Sequence, residues 1–80
     1  MEGGRTVPLD AIDLQRIARS GGSLNVSPLK DRLDATDLQR IASATKEGAG
    51  TLVISDTKGL DATDLQRIVQ AAPGRVIINP

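Results

Sequence analysis

A segment of nine residues, Leu-Asp-Ala-Ile/Thr-Asp-Leu-Gln-Arg-Ile, occurs three times in this chain of 80 residues, and it constrains the fold more than any other feature. The copies begin at residues 9, 33 and 60, which are 24 and 27 residues apart, and eight of the nine positions are identical in all three. Periods of this length are typical of repeat proteins, in which each unit packs against its neighbours. The sequence therefore predicts one repeat domain over residues 1–80, with units at about 6–22, 23–50 and 51–74 and a terminal strand at 75–79.

Each copy of the segment has the pattern of a helix N-terminus. Its first aspartate, Asp10, Asp34 or Asp61, is predicted to cap the helix by accepting hydrogen bonds from backbone N–H groups. A second aspartate three residues later gives a pattern close to the capping box and suits the helix dipole. Leucine and isoleucine spaced three apart then form an apolar face. Glycine or proline follows at 21–22, 48 and 73–74, so we expect helices of about 9–12 residues.

Three short segments between the predicted helices, at 23–27, 51–55 and 75–79, alternate apolar and polar residues with the period of a half-buried strand. A weaker strand candidate at 6–9 contains Pro8, which limits it to the edge of a sheet. The predicted order is β-α-β-α-β-α-β. Strands joined by helices are parallel, and right-handed crossovers place every helix on the same face of the sheet. The predicted fold class is α/β, a short single-wound repeat solenoid.

The second half of the chain runs from a predicted strand, Leu52-Val53-Ile54, through Leu60 into a predicted helix. A turn at Pro73-Gly74 then leads to the next predicted strand, Val76-Ile77-Ile78. This arrangement resembles the strand-then-helix unit of the leucine-rich repeat family, and the resemblance spans most of the chain. The asparagine ladder of that family is missing, since Leu29 and Thr57 occupy the equivalent places. The resemblance implies a curved solenoid with a protein-binding role, and it transfers no specific binding residue.

The composition argues against several classes of function. The chain contains no Cys and no His, the usual zinc ligands and the commonest acid–base groups. Ten basic residues balance ten acidic ones and no residue is aromatic, so both usual modes of nucleic-acid binding lack their side chains. No apolar run approaches the ~20 residues of a membrane span, and residues 1–9 do not resemble a signal peptide. We expect a cytoplasmic protein that is not an enzyme, holds no metal or cofactor, and contacts neither nucleic acid nor membrane.

The sheet face opposite the helices is the first candidate site. Its strand residues are predicted to be Asn25, Thr51, Val53, Ser55, Arg75 and Ile77. Val53 and Ile77 would be neighbours in a small apolar patch. The terminal strand, with Val76 and Ile78, would add an unpaired hydrogen-bonding edge. These features favour a non-catalytic structural or protein-interaction module that self-associates as a homo-oligomer.

Two alternatives remain open. The loop between the second strand and the third helix could bind a hard cation through Asp56 and Asp61, or an anion through Lys58 and the helix N-terminus. Solvated turn residues explain the same pattern without a ligand. The chain could also be part of a longer repeat protein, such as a bacterial effector or surface array. The glycine-rich stretch at 46–50 leaves a helix and enters a strand, so it predicts a plain connection instead of a phosphate loop.

Repeated Gln-Arg pairs, at 15–16, 39–40 and 66–67, would lie in parallel rows on the helical layer. A functional interpretation makes this row a ligand-facing stripe. The simpler interpretation, which we favour, is a ladder of exposed Asp–Arg ion pairs, each contributing about 0.3–0.5 kcal/mol. Recent duplication of the segment accounts for the identity of the pairs.

Overall fold

The computed structural model describes residues 11–79, which form a small α/β domain with three parallel strands in an open sheet. Its elements, in chain order, are α1 (Ala11–Arg19), β1 (Leu24–Val26), α2 (Pro28–Asp31), α3 (Ala35–Gly48), β2 (Leu52–Ser55), a 3₁₀ turn (Thr57–Gly59), α4 (Ala62–Ala71) and β3 (Val76–Asn79). The predicted α/β class is confirmed. The candidate strand at 6–9 and the cap Asp10 lie outside the described residues.

The sheet has the order β1-β2-β3, and both pairs of strands are parallel. The register aligns three rows across the strands: Leu24, Leu52 and Val76; Asn25, Val53 and Ile77; Val26, Ile54 and Ile78. Each strand occupies its predicted segment but is one or two residues shorter than the prediction of 23–27, 51–55 and 75–79.

The hydrophobic core lies on one side of the sheet. Side chains of the first and third rows pack with apolar side chains from the helices, whereas the middle row does not join this cluster. Leu38 and Ile41 of α3, Ile68 of α4, and Leu52 and Ile54 of β2 are fully buried. α3 packs against both α1 and α4, so the three longer helices form a single row with α3 in the middle.

The predicted N-caps of α3 and α4 are confirmed. The Asp34 carboxylate accepts a hydrogen bond from the Asp37 N–H at 2.8 Å, and the Asp37 carboxylate accepts one from the Asp34 N–H at 3.3 Å. Asp61 and Asp64 form the same capping box at the start of α4, at 2.8 and 3.4 Å. Aspartate at the third helical position thus serves in the place that glutamate usually takes in this motif.

Two sequence predictions about helices are wrong. α3 has 14 residues, not 9–12, because no glycine or proline interrupts it before Gly48. Its extra turns bury Thr45, whose hydroxyl donates to the Ile41 carbonyl at 2.8 Å. The segment between β1 and α3, for which the sequence predicts no helix, contains the four-residue helix α2. Ser27 caps this helix and Pro28 begins it, an order of residues that favours a helix start.

The backbones of α1 and α3 approach each other most closely at Gly48. A Cβ atom added there would lie 1.9 Å from the Ala18 carbonyl oxygen, a distance that real structures do not allow. A similar contact follows at Gly50, where an added Cβ would lie 2.5 Å from the Gly22 carbonyl oxygen. Glycine is therefore needed here for close packing, and the glycine-rich stretch at 46–50 is a plain helix-to-strand connection as predicted.

Replacing Gly48 by alanine should lower the free energy of unfolding by about 1–3 kcal/mol, because the two helices must move apart to admit the methyl group. Gly59→Ala is the matched control, since a Cβ there meets nothing within 4 Å, and it should change stability by no more than about 0.5 kcal/mol. Urea unfolding followed by far-ultraviolet circular dichroism measures both, as the chain has no aromatic reporter. Equal stabilities of the two variants would contradict the close contact.

Candidate functional site

The face of the sheet opposite the core carries four of the six residues that were predicted to face outward, Asn25, Val53, Ser55 and Ile77, whereas Thr51 and Arg75 lie just before β2 and β3. Asn25, Val53 and Ile77 lie side by side in one row across β1, β2 and β3. Ile77 is 52% exposed and Val53 is half-buried. Ser55 and Asn79 are aligned two rows further along, on the same face of the sheet. The structure therefore brings together the predicted apolar pair and places polar side chains beside it.

Hydrogen bonds hold the polar side chains around this apolar pair. The Ser55 hydroxyl donates to the Asn25 side-chain carbonyl at 3.5 Å, which links β2 to β1. The Arg75 guanidinium donates to the Gly50 carbonyl at 3.2 Å, which anchors its charge beside the start of β2. The face consequently carries two adjacent aliphatic side chains, Val53 and Ile77, with the polar side chains of Asn25 and Ser55 beside them.

The outer edge of β3 is the second predicted surface. β3 pairs with β2 on one side, and no other strand among residues 11–79 pairs with its second side. Val76 and Ile78 are half-buried and pack against the core, so their side chains point toward the helices. Their contribution to an interface is therefore the backbone edge, which offers N–H and C=O groups to another strand.

The predicted ligand loop is arranged differently from the sequence expectation. The Asp61 carboxylate accepts the Asp64 N–H in the capping box of α4. Asp56, in the left-handed region with φ 54°, accepts a hydrogen bond from the Ser27 hydroxyl at 2.6 Å. Lys58 lies in the exposed 3₁₀ turn. Asp56 is thus engaged with the loop after β1, while Asp61 serves its own helix.

Asp56 lines an open cleft of about 320 Å³ at the carboxyl ends of β1 and β2. The cleft is also lined by Asn25, Val26, Ser27, Lys30, Asp31 and Ser55. The Asp31 carboxylate accepts a hydrogen bond from the Ser27 N–H at 2.9 Å. Sequence reasoning overlooked Ser27, although residues that follow neighbouring parallel strands meet at one edge of a sheet. Among residues 11–79, no group of three or more acidic, His or Cys side chains is placed to hold a metal ion.

The favoured ladder of Asp–Arg pairs is wrong for α3 and α4. The carboxylates of Asp37 and Asp64 accept hydrogen bonds from the capping residues' N–H groups, because a local backbone donor is closer than a flexible arginine. An ion pair between two different helices joins Arg19 of α1 to Glu47 of α3 at 3.1 Å. Both partners are mostly exposed, so it adds little stability.

One apolar surface was missed by sequence reasoning. Leu65 of α4 belongs to the apolar helix face that the sequence predicts, yet Leu65 and the neighbouring Val69 are only half-buried, on a groove that Ala62, Gln66 and Gln70 also line. Ile17 belongs to the equivalent face of α1 and is 38% exposed. The signal that could have found them is their position in the first and last helices of the row, each with a neighbour on one side.

Comparison with protein-family models, with curated proteins and with solved structures gave no match to this chain. The resemblance to leucine-rich repeats therefore stays a prediction. Within the described part of the chain, none of the helices combines the length and the apolar character that crossing a membrane requires.

Replacing Asp61 by alanine should lower the free energy of unfolding by about 1 kcal/mol, whereas Asp61→Asn should cost only a few tenths, because asparagine caps a helix as well as aspartate does. Asp34→Ala and Asp34→Asn should behave in the same way at α3. Chemical denaturation of the four variants tests this. Similar losses for the alanine and asparagine variants would show that the charge of Asp61, and not its capping oxygen, matters.

Proposed function

We propose that this chain is a non-catalytic protein-interaction module that self-associates through the open face of its sheet or through the edge of β3. The observation that carries the proposal is the one-sided core. All buried strand side chains lie on the helix side, and the other face presents Ile77 and Val53 within a hydrogen-bonded polar frame. Exposed aliphatic groups with a polar rim are the usual composition of an interface centre.

We further propose that the three units form a short, curved, single-wound solenoid like those of leucine-rich repeat proteins. Support comes from the recurrence of a helix followed by a parallel strand, from the capping boxes at the starts of α3 and α4, and from the alignment of equivalent strand positions in rows. Proteins of this architecture commonly use the surface of the strands for binding. The cytoplasmic location expected from the sequence stays a prediction.

A protein partner suits this surface better than a small molecule. The open face is a flat row of side chains, whereas sites for small ligands are concave and bury most of the ligand. The chain has zero formal net charge, so it has no general attraction for polyanions. A second copy of the chain is a partner that is present wherever the protein is, and the unpaired edge of β3 gives it a strand to join.

The second candidate function is binding of a small ion or anion beside Asp56. The cleft at the ends of β1 and β2, with Lys30 and Asp31 on its other wall, favours it. The hydrogen bond from Ser27 to Asp56 and the capping role of Asp61 disfavour it, since they occupy the carboxylates that a ligand would need.

Titration with Mg²⁺, Ca²⁺ or inorganic phosphate, followed by amide chemical shifts, tests this second candidate. If ligand binding is the function, shifts should concentrate at residues 27–31 and 56–61, and Asp56→Asn should abolish those caused by the cations. No change at these residues at millimolar concentration removes the candidate.

Self-association should raise the mass measured by light scattering above the 8.4 kDa monomer at concentrations up to about 100 μM, because interfaces of standard size bind with micromolar or tighter affinity. Ile77→Asp and Val53→Asp should each weaken association through the open face by about tenfold or more. Ile12→Asp is the matched control, an equally exposed isoleucine (60%) on α1. A wild-type protein that is monomeric throughout the range contradicts the proposed function.

A further inference from the structure

The outer side of α4 is an apolar helix surface whose counterparts in the other two helices are covered. Leu65 and Val69 stand at the positions that Leu14 and Ala18 hold in α1, as the aligned repeat shows. Leu14 is buried and Ala18 is fully buried, whereas Leu65 and Val69 are only half-buried. The same side of the helix is therefore closed in α1 and open in α4.

In α3 the equivalent residues are Leu38 and Ala42, both fully buried. Gly48 contacts Ala18 and so marks the side of α3 that faces α1. Residues 42 and 48 are six positions apart, and at about 100° per residue they are separated by about 120° around the helix. Leu38, ten positions from Gly48, is about 80° away by the same measure, so Leu38 and Ala42 are turned away from the α1 side of α3, toward the side on which α4 packs.

α1 presents the other side of the same kind of helix contact, the side that α4 turns toward α3. Ile41 in α3 and Ile68 in α4 are fully buried where each helix follows another in the row. Ile17 is the same residue of the repeat in α1, yet it is 38% exposed. Among residues 11–79, two different apolar helix sides are therefore left partly open, a leading side at Ile17 of α1 and a trailing side at Leu65 and Val69 of α4. The equivalent sides are joined where α1 packs against α3 and where α3 packs against α4.

We propose that copies of this chain associate head to tail. The outer side of α4 in one copy, at Leu65 and Val69, packs against the side of α1 around Ile17 in a second copy. This contact is the equivalent of the one between α3 and α4 within one chain. This inference rests on the proposed self-association and specifies its partner and geometry. β3 is an edge strand of the described sheet, and α4 is at the same end of the row of helices. The proposed contact therefore uses this end of the domain, together with the edge of β3, and does not use the open face of the sheet.

The side chains at the proposed junction are compatible in size and polarity. Compared with the contact between α3 and α4, the receiving helix carries Val69 in place of the smaller Ala42. The incoming helix α1 carries Gly21 in place of the buried Ala72, so a larger side chain on one helix meets a smaller residue on the other. Ser20 takes the place of Ala71, and its hydroxyl already donates to the Arg16 carbonyl at 2.9 Å. Burying Ser20 therefore leaves no hydroxyl proton without an acceptor.

Head-to-tail contact differs from a two-fold dimer in a way that can be measured. The two surfaces are different, so each copy keeps one open side and the assembly grows with concentration. A two-fold dimer through α4 alone would use Leu65 and Val69 on both sides, would stop at two copies, and would not involve Ile17.

Complementation between two one-sided variants tests the proposal. Leu65→Asp/Val69→Asp removes the trailing side and Ile17→Asp removes the leading side, while Ile12→Asp serves as the control on the solvent side of α1. By sedimentation velocity, the wild-type and control proteins should grow beyond a dimer as concentration rises, and each one-sided variant alone should be a monomer. An equimolar mixture of the two variants should double in mass, because one intact junction remains.

Circular dichroism of each variant verifies that it folds. If the aspartate variants lose helix, Leu65→Gln/Val69→Gln and Ile17→Gln replace them, since glutamine favours helix and removes the apolar surface. A mixture that stays monomeric, or an Ile17 variant that still associates like wild type, overturns the head-to-tail arrangement. If both one-sided variants assemble like wild type while Ile77→Asp abolishes assembly, the head-to-tail arrangement is overturned but the proposed function stands. A monomeric wild type overturns both.

Discussion

Parallel pairing of β2 with both of its neighbours is the constraint on which the rest of the structure depends. The register places Leu52 and Ile54 in rows that face the helices and Val53 in the row between them, which faces away. Parallel strands require crossover connections, and crossovers of one hand return the chain on one side of the sheet. The buried aliphatic side chains of this chain, which has no aromatic residues, are therefore gathered into a single layer between helices and strands.

Two kinds of surface follow from that arrangement. One is the broad face of the sheet, where Ile77 and Val53 lie among hydrogen-bonded polar side chains. The other is the pair of ends, where a helix has a neighbour on one side and a half-buried apolar flank on the other. α3 lies between α1 and α4, so within residues 11–79 it is the outer helices α1 and α4 that keep a partly open apolar side. Small domains bury a low fraction of their surface on folding, so partly open apolar sides are expected in a chain of 80 residues.

The three units are alike in sequence but not in environment. Ile17, Ile41 and Ile68 are the same position of the repeat, and only the first is substantially exposed. α3 continues several residues beyond the repeated segment and meets α1 at Gly48, a contact for which the other units have no equivalent. Identity of sequence thus sets the start of each helix, and the neighbours in the row set what its apolar side contacts.

The sequence by itself determined the local structure: capping boxes at Asp34 and Asp61, strands at alternating segments, and their parallel order, because hydrogen bonds three residues apart and side-chain periodicity are properties of short segments. Helix α2 was also encoded locally, by Ser27 and Pro28, although it was not predicted. Only the tertiary structure decided which identical side chains are buried, and that Asp56 bonds Ser27 across 29 residues. Both outcomes depend on how close the units lie to one another in space, and the residue pattern within a single unit does not specify that distance.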